Sequence, residues 1–176
     1  LEPAVLDEIL ELVAALCEPL AYVHGRGVVH RDLKPDNVVI DGDGSPILVD
    51  FGLASMALRE QSRDVLDVAG RALGTPAYMA QEQLADAAPR GVGIHTAIYQ
   101  LGGSLYHAAV GQPPQEGTTL DEIRDQITER EELSLPEQVP GELGSSIGRA
   151  MALTPSERFG SAGELLRALE AYLEHR

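Results

Sequence analysis

Two short apolar runs, Val38-Val39-Ile40 and Ile47-Leu48-Val49, stand on either side of Asp41-Gly42-Asp43-Gly44. Glycine and aspartate tolerate the backbone conformations of a tight reversal, so this stretch is predicted to be a β-hairpin. A strand pair brings the chain back to where it began. Asn37 and Asp50, thirteen residues apart in sequence, are therefore expected to become spatial neighbours. Polar strings lie just outside both strands, so chemistry is expected to collect at the hairpin's open end.

Around the hairpin the pattern is helical. Leu6, Ile9, Leu10, Val13, Leu16, Cys17, Leu20 and Val23 recur at three- and four-residue spacing, one face of a helix running from Pro3 to near Gly25. Residues 97 to 110 form an apolar helix that Gly111 ends. Thr119 with Glu122, and Ser161 with Glu164, have the spacing of capping boxes ahead of two further helices. A shorter helix is expected over residues 143 to 153. Residues 51 to about 74 show no sustained period and many charges, which reads as a long loop; loops of that length in compact domains are often functional. The fold class is mainly α with one short hairpin.

Composition narrows the partners. Thirteen basic and 28 acidic residues give a formal net charge of −15, which argues against nucleic acid or an anionic membrane surface as a partner. The one cysteine, Cys17, lies among leucines on a helix face and reads as a buried free thiol. With no disulfide possible, a reducing, cytoplasmic setting is expected, or the cytoplasmic side of a membrane-anchored longer protein. No stretch reaches the ~18 consecutive apolar residues of a transmembrane helix. His24, His95, His107 and His175 have no partners at metal-ligand spacing.

Before the hairpin runs His30-Arg31-Asp32-Leu33-Lys34-Pro35-Asp36-Asn37, and after it Asp50-Phe51-Gly52. Further on come Gly74-Thr75-Pro76-Ala77-Tyr78-Met79-Ala80 and Glu82. An eight-residue string and its partners at these distances resemble the catalytic loop, the DFG motif and the end of the activation segment of eukaryotic-type serine/threonine protein kinases. The wording is closest to the bacterial members. The resemblance spans essentially the whole chain and corresponds to the C-terminal lobe alone, residues 1–176, with residues 50–82 as activation segment.

The resemblance implies transfer of the ATP γ-phosphoryl group to a protein Ser or Thr hydroxyl. Asp32 would accept the hydroxyl proton, and Lys34 would contact the phosphate. Asn37 and Asp50 would hold Mg²⁺ (or Mn²⁺) through hard oxygen ligands. His30, Arg31, Phe51, Gly52 and Thr75 take supporting places. Glu82 resembles the last residue of the APE motif, and Arg158 its buried partner.

Several features depart from the family. No glycine-rich loop, strand lysine or helix glutamate precedes the catalytic loop, so the small lobe that completes the ATP site is missing, and the chain's start at Leu1 looks like a cut. The lobe alone is expected to be inactive; a pseudokinase or scaffold lobe binding a partner protein is the alternative. Ala97 stands where the family has an aspartate that accepts N–H bonds from the catalytic loop, so that loop is expected to be looser. Gln81 and Gln115 replace a proline and an apolar residue, and both read as neutral changes in surface loops. Between Arg63 and Gly74 no Ser, Thr or Tyr is present. Asp64 or Asp67 is a candidate fixed anion in place of a phosphate, against the plainer reading that both are simply solvated.

Overall fold

A computed structural model describes residues 3–51, 76–84, 91–117, 119–130 and 133–175. The architecture is mainly helical with one small antiparallel sheet. Helix α1 spans Pro3–His24. Strands β1 (Val38–Ile40) and β2 (Pro46–Leu48) follow, and then helices α2 (Ile94–Val110), α3 (Leu120–Glu129), α4 (Gly141–Ala150) and α5 (Ala162–His175). Gly52, Thr75, Asp64, Asp67 and most of the expected activation segment lie outside the described residues.

Helix α1 buries the face its spacing predicts: Leu10, Val13, Leu16, Cys17 and Leu20. It packs on α5 and α2, and α2 packs on α4. The Cys17 thiol donates to Val13 O at 3.3 Å, and burial first, then the charge of Glu170, push its pKa up to about 12. It is a packing residue and not a nucleophile at neutral pH.

The hairpin forms with Val38 opposite Leu48, Val39 opposite Ile47 and Ile40 opposite Pro46. The second strand starts one residue earlier than expected. The Asp41 carboxylate accepts from the N–H groups of Asp43 and Ser45, and Asp41 N–H donates to Ser45 O, so the turn draws Pro46 into the ladder. Gly44 adopts φ +84°, which favours glycine there.

Helix α2 is the centre of the molecule. Ten of its seventeen residues are buried, including the unbroken run from Thr96 to Gly103, so core surrounds it on all sides. It begins a turn earlier than its apolar pattern predicts, because the Thr96 hydroxyl accepts from Gly93 N–H and donates to Glu82. It ends at Gly111, in the left-handed conformation at φ +84°. Among the described residues, no helix is long and apolar enough to cross a membrane.

Caps follow the sequence signals, with one variation. Thr119 and Glu122 form both halves of their box at 3.2 and 3.3 Å. Ser161 accepts from Glu164 N–H, but the Glu164 carboxylate turns to Gly160 N–H and Arg149 instead of closing the box. Helix α4 stops at Ala150, short of the expected 153. Arginines take the carbonyls that would have continued it: Arg130 binds Met151 O, and Arg158 binds Ala152 O and Leu153 O.

Arg158 joins the layers. Its side chain is fully buried and pairs bidentately with Glu82 at 2.7 and 3.0 Å. It also donates to His95 O and lies over the Tyr99 ring. Burial alone would raise the Glu82 pKa; the hydrogen bonds and charge of Arg158 outweigh it, and the net shift is downward.

Three outcomes follow for stability. A Cβ at Gly102 would sit 2.7 Å from Ala150 Cβ and 2.8 Å from Met151 Cγ, so Gly102→Ala should cost about 1–3 kcal/mol in chemical denaturation. Arg158→Ala should cost about 3–5 kcal/mol by stranding a buried carboxylate. Because the Glu82 carboxyl titrates lower when folded, the stability it contributes is complete above its ordinary value of 4.5 and is lost as the pH falls below it. The stability gap between wild type and Glu82→Gln should therefore be flat at neutral pH and narrow in acid.

Candidate active site

The hairpin carries the site. Beyond the last strand pair, Val49 N–H donates to Asn37 O at 2.9 Å, which extends the ladder one step and sets Asn37 and Asp50 at the same open end. The segment from His30 to Asn37 lies against this end. Asn37 closes a short helical turn over Pro35–Asn37 and is itself buried.

Asp32 stands at the centre of a polar cluster. One of its carboxylate oxygens, Oδ2, lies 3.2 Å from Lys34 Nζ and accepts from Asn37 Nδ2 at 3.1 Å. The same Asn37 nitrogen donates to Asp32 O at 2.8 Å. With the nitrogen of Asn37 committed, its amide oxygen is left as the acceptor. Asp32 Oδ1 has no partner among the described residues. The arrangement presents a partly exposed carboxylate beside a cation, with the Asn37 amide and the exposed Asp50 at the same open end of the hairpin.

His30 ties the loop to the hairpin. It is fully buried, its Nε2 bonds Val49 O at 2.8 Å, and its Nδ1 accepts from Asp32 N–H at 3.3 Å. That assignment makes Nε2 the protonated nitrogen. Phe51 packs edge-on against the ring, with centroids 4.7 Å apart. Arg31, the residue between His30 and Asp32, has φ +71°, and Asp50 has φ +61°.

Oxygen donors from one amide and one carboxylate suit Mg²⁺ or Mn²⁺, which take few protein ligands and complete their shell with water and phosphate oxygens. Among the described residues, no group of three or more His, Cys, Asp or Glu side chains could hold a metal ion. The donor set fits a cation shared with a phosphate ligand better than a closed structural site.

The catalytic loop, expected to be looser beside Ala97, has an anchor from another residue of the same helix. Ala97 is buried in α2 and cannot accept a hydrogen bond, but Gln100, one turn along the same helix, can. Its Oε1 accepts from Leu33 N–H at 3.0 Å. The sequence signal was a glutamine within the run Ala97-Ile98-Tyr99-Gln100-Leu101, which a buried position obliges to find partners. The reading of Gln115 is corrected: it is buried, and its amide nitrogen donates to the Tyr99 hydroxyl at 2.7 Å, so it is a core residue. Gln81 is exposed, as a surface substitution should be.

The segment Pro76–Tyr78 and the turn Gln81–Gln83 lie between α2 and α3. Tyr78 shares a 2.6 Å hydrogen bond with His107 Nδ1 of α2. Burial, and then the negative charge of Asp36, raise the Tyr78 pKa. Asp36 belongs to the loop that carries Asp32, so these two segments are electrostatic neighbours. Arg124 of α3 fixes the end of the second segment by donating twice to Leu84 O.

A family model described as the protein kinase domain matches residues 4–171. The chain belongs to the protein kinase domain family. It is 34% identical over 187 residues to the serine/threonine-protein kinase PknD of Protochlamydia amoebophila, covering 96% of this chain and 19% of that protein. It is 37% identical to the serine/threonine-protein kinase PknA of a Nostoc species, over 96% of this chain and 28% of that protein. A third relative is the DNA damage-responsive serine/threonine-protein kinase RqkA of Deinococcus radiodurans, at 40% identity over 85% of this chain and 21% of that protein. Membership in the serine/threonine kinases of bacterial type follows. The chain spans about a fifth to three tenths of the length of these relatives.

The kinase domain offers a direct test of the His30 bridge. His30→Phe keeps a ring against Phe51 but leaves Val49 O and Asp32 N–H without their partner. It should lower stability by about 1–3 kcal/mol in urea denaturation.

Proposed function

We propose that this lobe, within a longer protein, transfers the γ-phosphoryl group of ATP to Ser or Thr hydroxyls of protein substrates. The observation that carries the reading is the Asp32 carboxylate held by Lys34 and Asn37, its second oxygen having no partner among the described residues. The substrate hydroxyl oxygen bonds to the γ-phosphorus as the bond to the β–γ bridging oxygen breaks. Asp32 orients the hydroxyl and receives its proton, and ADP leaves. Lys34 supplies positive charge beside that carboxylate, where phosphate oxygens would approach. Asn37 and Asp50 would hold Mg²⁺ or Mn²⁺, which when bound supplies charge neutralisation for the phosphates.

An apolar hollow of about 260 Å³ beside the site supports the reading that a second, N-terminal lobe completes the ATP cleft. Pro19, Val23, Pro46, Ile47 and Phe51 line it, and Val39 and Ile40 next to it are about half exposed. So much exposed apolar side chain on one short hairpin is unusual for a surface left in water. By itself this lobe would hold the nucleotide only through the phosphate and metal contacts of Lys34, Asn37 and Asp50, and we expect it to be inactive alone. The strongly acidic surface favours protein over nucleic acid as partner, and the buried free thiol suits a cytoplasmic setting.

A scaffold lobe without activity draws support from Ala97, Gln81 and the missing small lobe, and the Gln100 contact weakens the first of these. Phosphate transfer from labelled ATP to a general protein substrate, measured on the full-length protein with Mg²⁺, tests the choice. Asp32→Asn should reduce kcat by about 10²–10⁴-fold. If wild type and Asp32→Asn transfer phosphate equally, or neither does so, the enzyme reading fails and the scaffold reading replaces it.

A further inference from the structure

Arg31 is in a backbone conformation that L residues with a Cβ rarely adopt, at φ +71°. Such strain persists only where the surroundings over-determine it. Here the Arg31 carbonyl receives two donors: Gln83 Nε2 at 2.9 Å and Gln100 Nε2 at 3.1 Å. Two residues later, Leu33 N–H donates to Gln100 Oε1 at 3.0 Å. One buried glutamine thus grips both sides of Asp32, the carbonyl before it and the N–H after it.

The two glutamines also fix each other. Gln83 Oε1 accepts from Gln100 Nε2 at 3.1 Å and from Ala80 N–H at 3.0 Å. Neither amide can be reversed. Leu33 N–H and Ala80 N–H can only donate, and Arg31 O can only accept, so a flipped amide would set donor against donor and acceptor against acceptor. Gln100 is 1% exposed, so the broken contacts would not be replaced by water at little cost.

We infer that Gln83 and Gln100 form an interlocked amide pair that holds the strained turn at residues 31–33 and thereby positions Asp32. The inference rests on the phosphotransfer reading for its catalytic consequence, though not for the anchoring itself. Both glutamines are positioning residues, because neither touches a reacting atom. The pair also links Asp32 to the segment holding Ala80 and Glu82, so that segment's placement is felt at the carboxylate.

The test uses the full-length protein with Gln100→Leu, Gln83→Leu and the double variant. In Gln100→Leu, hydrogen exchange at the Leu33 amide should accelerate by about tenfold or more, while amides of α5 stay unchanged. Its kcat should fall by about ten- to a hundredfold with KM for ATP within about twofold, because the acceptor is displaced and the nucleotide contacts are not. Gln83→Leu should give a smaller loss of the same kind, and the double variant should be scarcely worse than Gln100→Leu, as two members of one network behave. If Gln100→Leu does not fold, Gln83→Leu, at a half-buried position, carries the kinetic and exchange readings. Unchanged Leu33 exchange overturns the inference, as does faster exchange with unaltered kcat, or losses that multiply in the double variant. If wild type transfers no phosphate, the phosphotransfer reading falls, and Leu33 exchange alone still decides whether the pair holds the turn.

Discussion

Arg158 is a buried cation whose five N–H groups all have acceptors, and the geometry of the molecule follows from where those acceptors lie. Nε bonds Ala152 O; one terminal nitrogen bonds Glu82 and His95 O; the other bonds Glu82 and Leu153 O. One side chain therefore joins the exit of α4, the entry of α2 and the turn at Gln81–Gln83. The turn gains more than a charge partner, because Glu82 is followed at once by Gln83. With Glu82 pinned, Gln83 is delivered to Arg31 O, and the next residue in the catalytic loop is Asp32. The path from a structural ion pair to the candidate catalytic carboxylate is two residues long on each side.

Such a pair is poor evidence for stability in itself. Removing two charges from water costs several kcal/mol each, and their attraction recovers it only when every remaining hydrogen-bonding site is filled. That condition is met at Arg158, and Thr96 supplies a further donor to Glu82. What the pair adds is uniqueness: five directional bonds and a bidentate fork are satisfied together in a single arrangement of three segments. An apolar replacement could fill the same volume but would leave those segments free to slide. The polar core is not uniformly saturated, since Gln115 Oε1, Arg130 Nη1 and both ring nitrogens of His24 are buried with no partner among the described residues.

Local rules made much of this legible beforehand. The hairpin, the span of α1 and the Thr119 cap depend on residues within a few positions of each other, and periodicity or turn chemistry reports them directly. The family resemblance added the catalytic string and the Glu82–Arg158 pairing. What it obscured was Gln100. Reading Ala97 as a loss assumed that the anchor must sit at the family's position, whereas a longer side chain one helical turn away reaches the same loop. A glutamine in an apolar run tells the reader that partners must exist, but not that they lie 67 residues earlier. Gln115 was missed for the same reason: exposure is set by packing against Tyr99, which no local pattern encodes. Boundaries shifted where tertiary bonds competed, as when arginines claimed the carbonyls beyond α4.

Among the described residues, two with a Cβ take positive φ, Arg31 and Asp50, and each is next to or part of the candidate site. Their needs differ. Aspartate enters the left-handed region with comparative ease, because its short polar side chain can bond locally, and Asp50 follows a strand already held through Val49. The Arg31 carbonyl, by contrast, is held by bonds from outside its own loop. Both donors it receives come from segments placed by the core: Gln100 from the buried centre of α2, and Gln83 from the turn that Arg158 fixes. The strain turns the chain so that Asp32 meets Lys34 and Asn37 instead of continuing along a regular path. A carboxylate set by a strained turn is only as well placed as the groups that hold the turn. Here those groups are one buried and one half-buried amide that lock each other's orientation, which is how a flexible-looking loop can present one oxygen in one place.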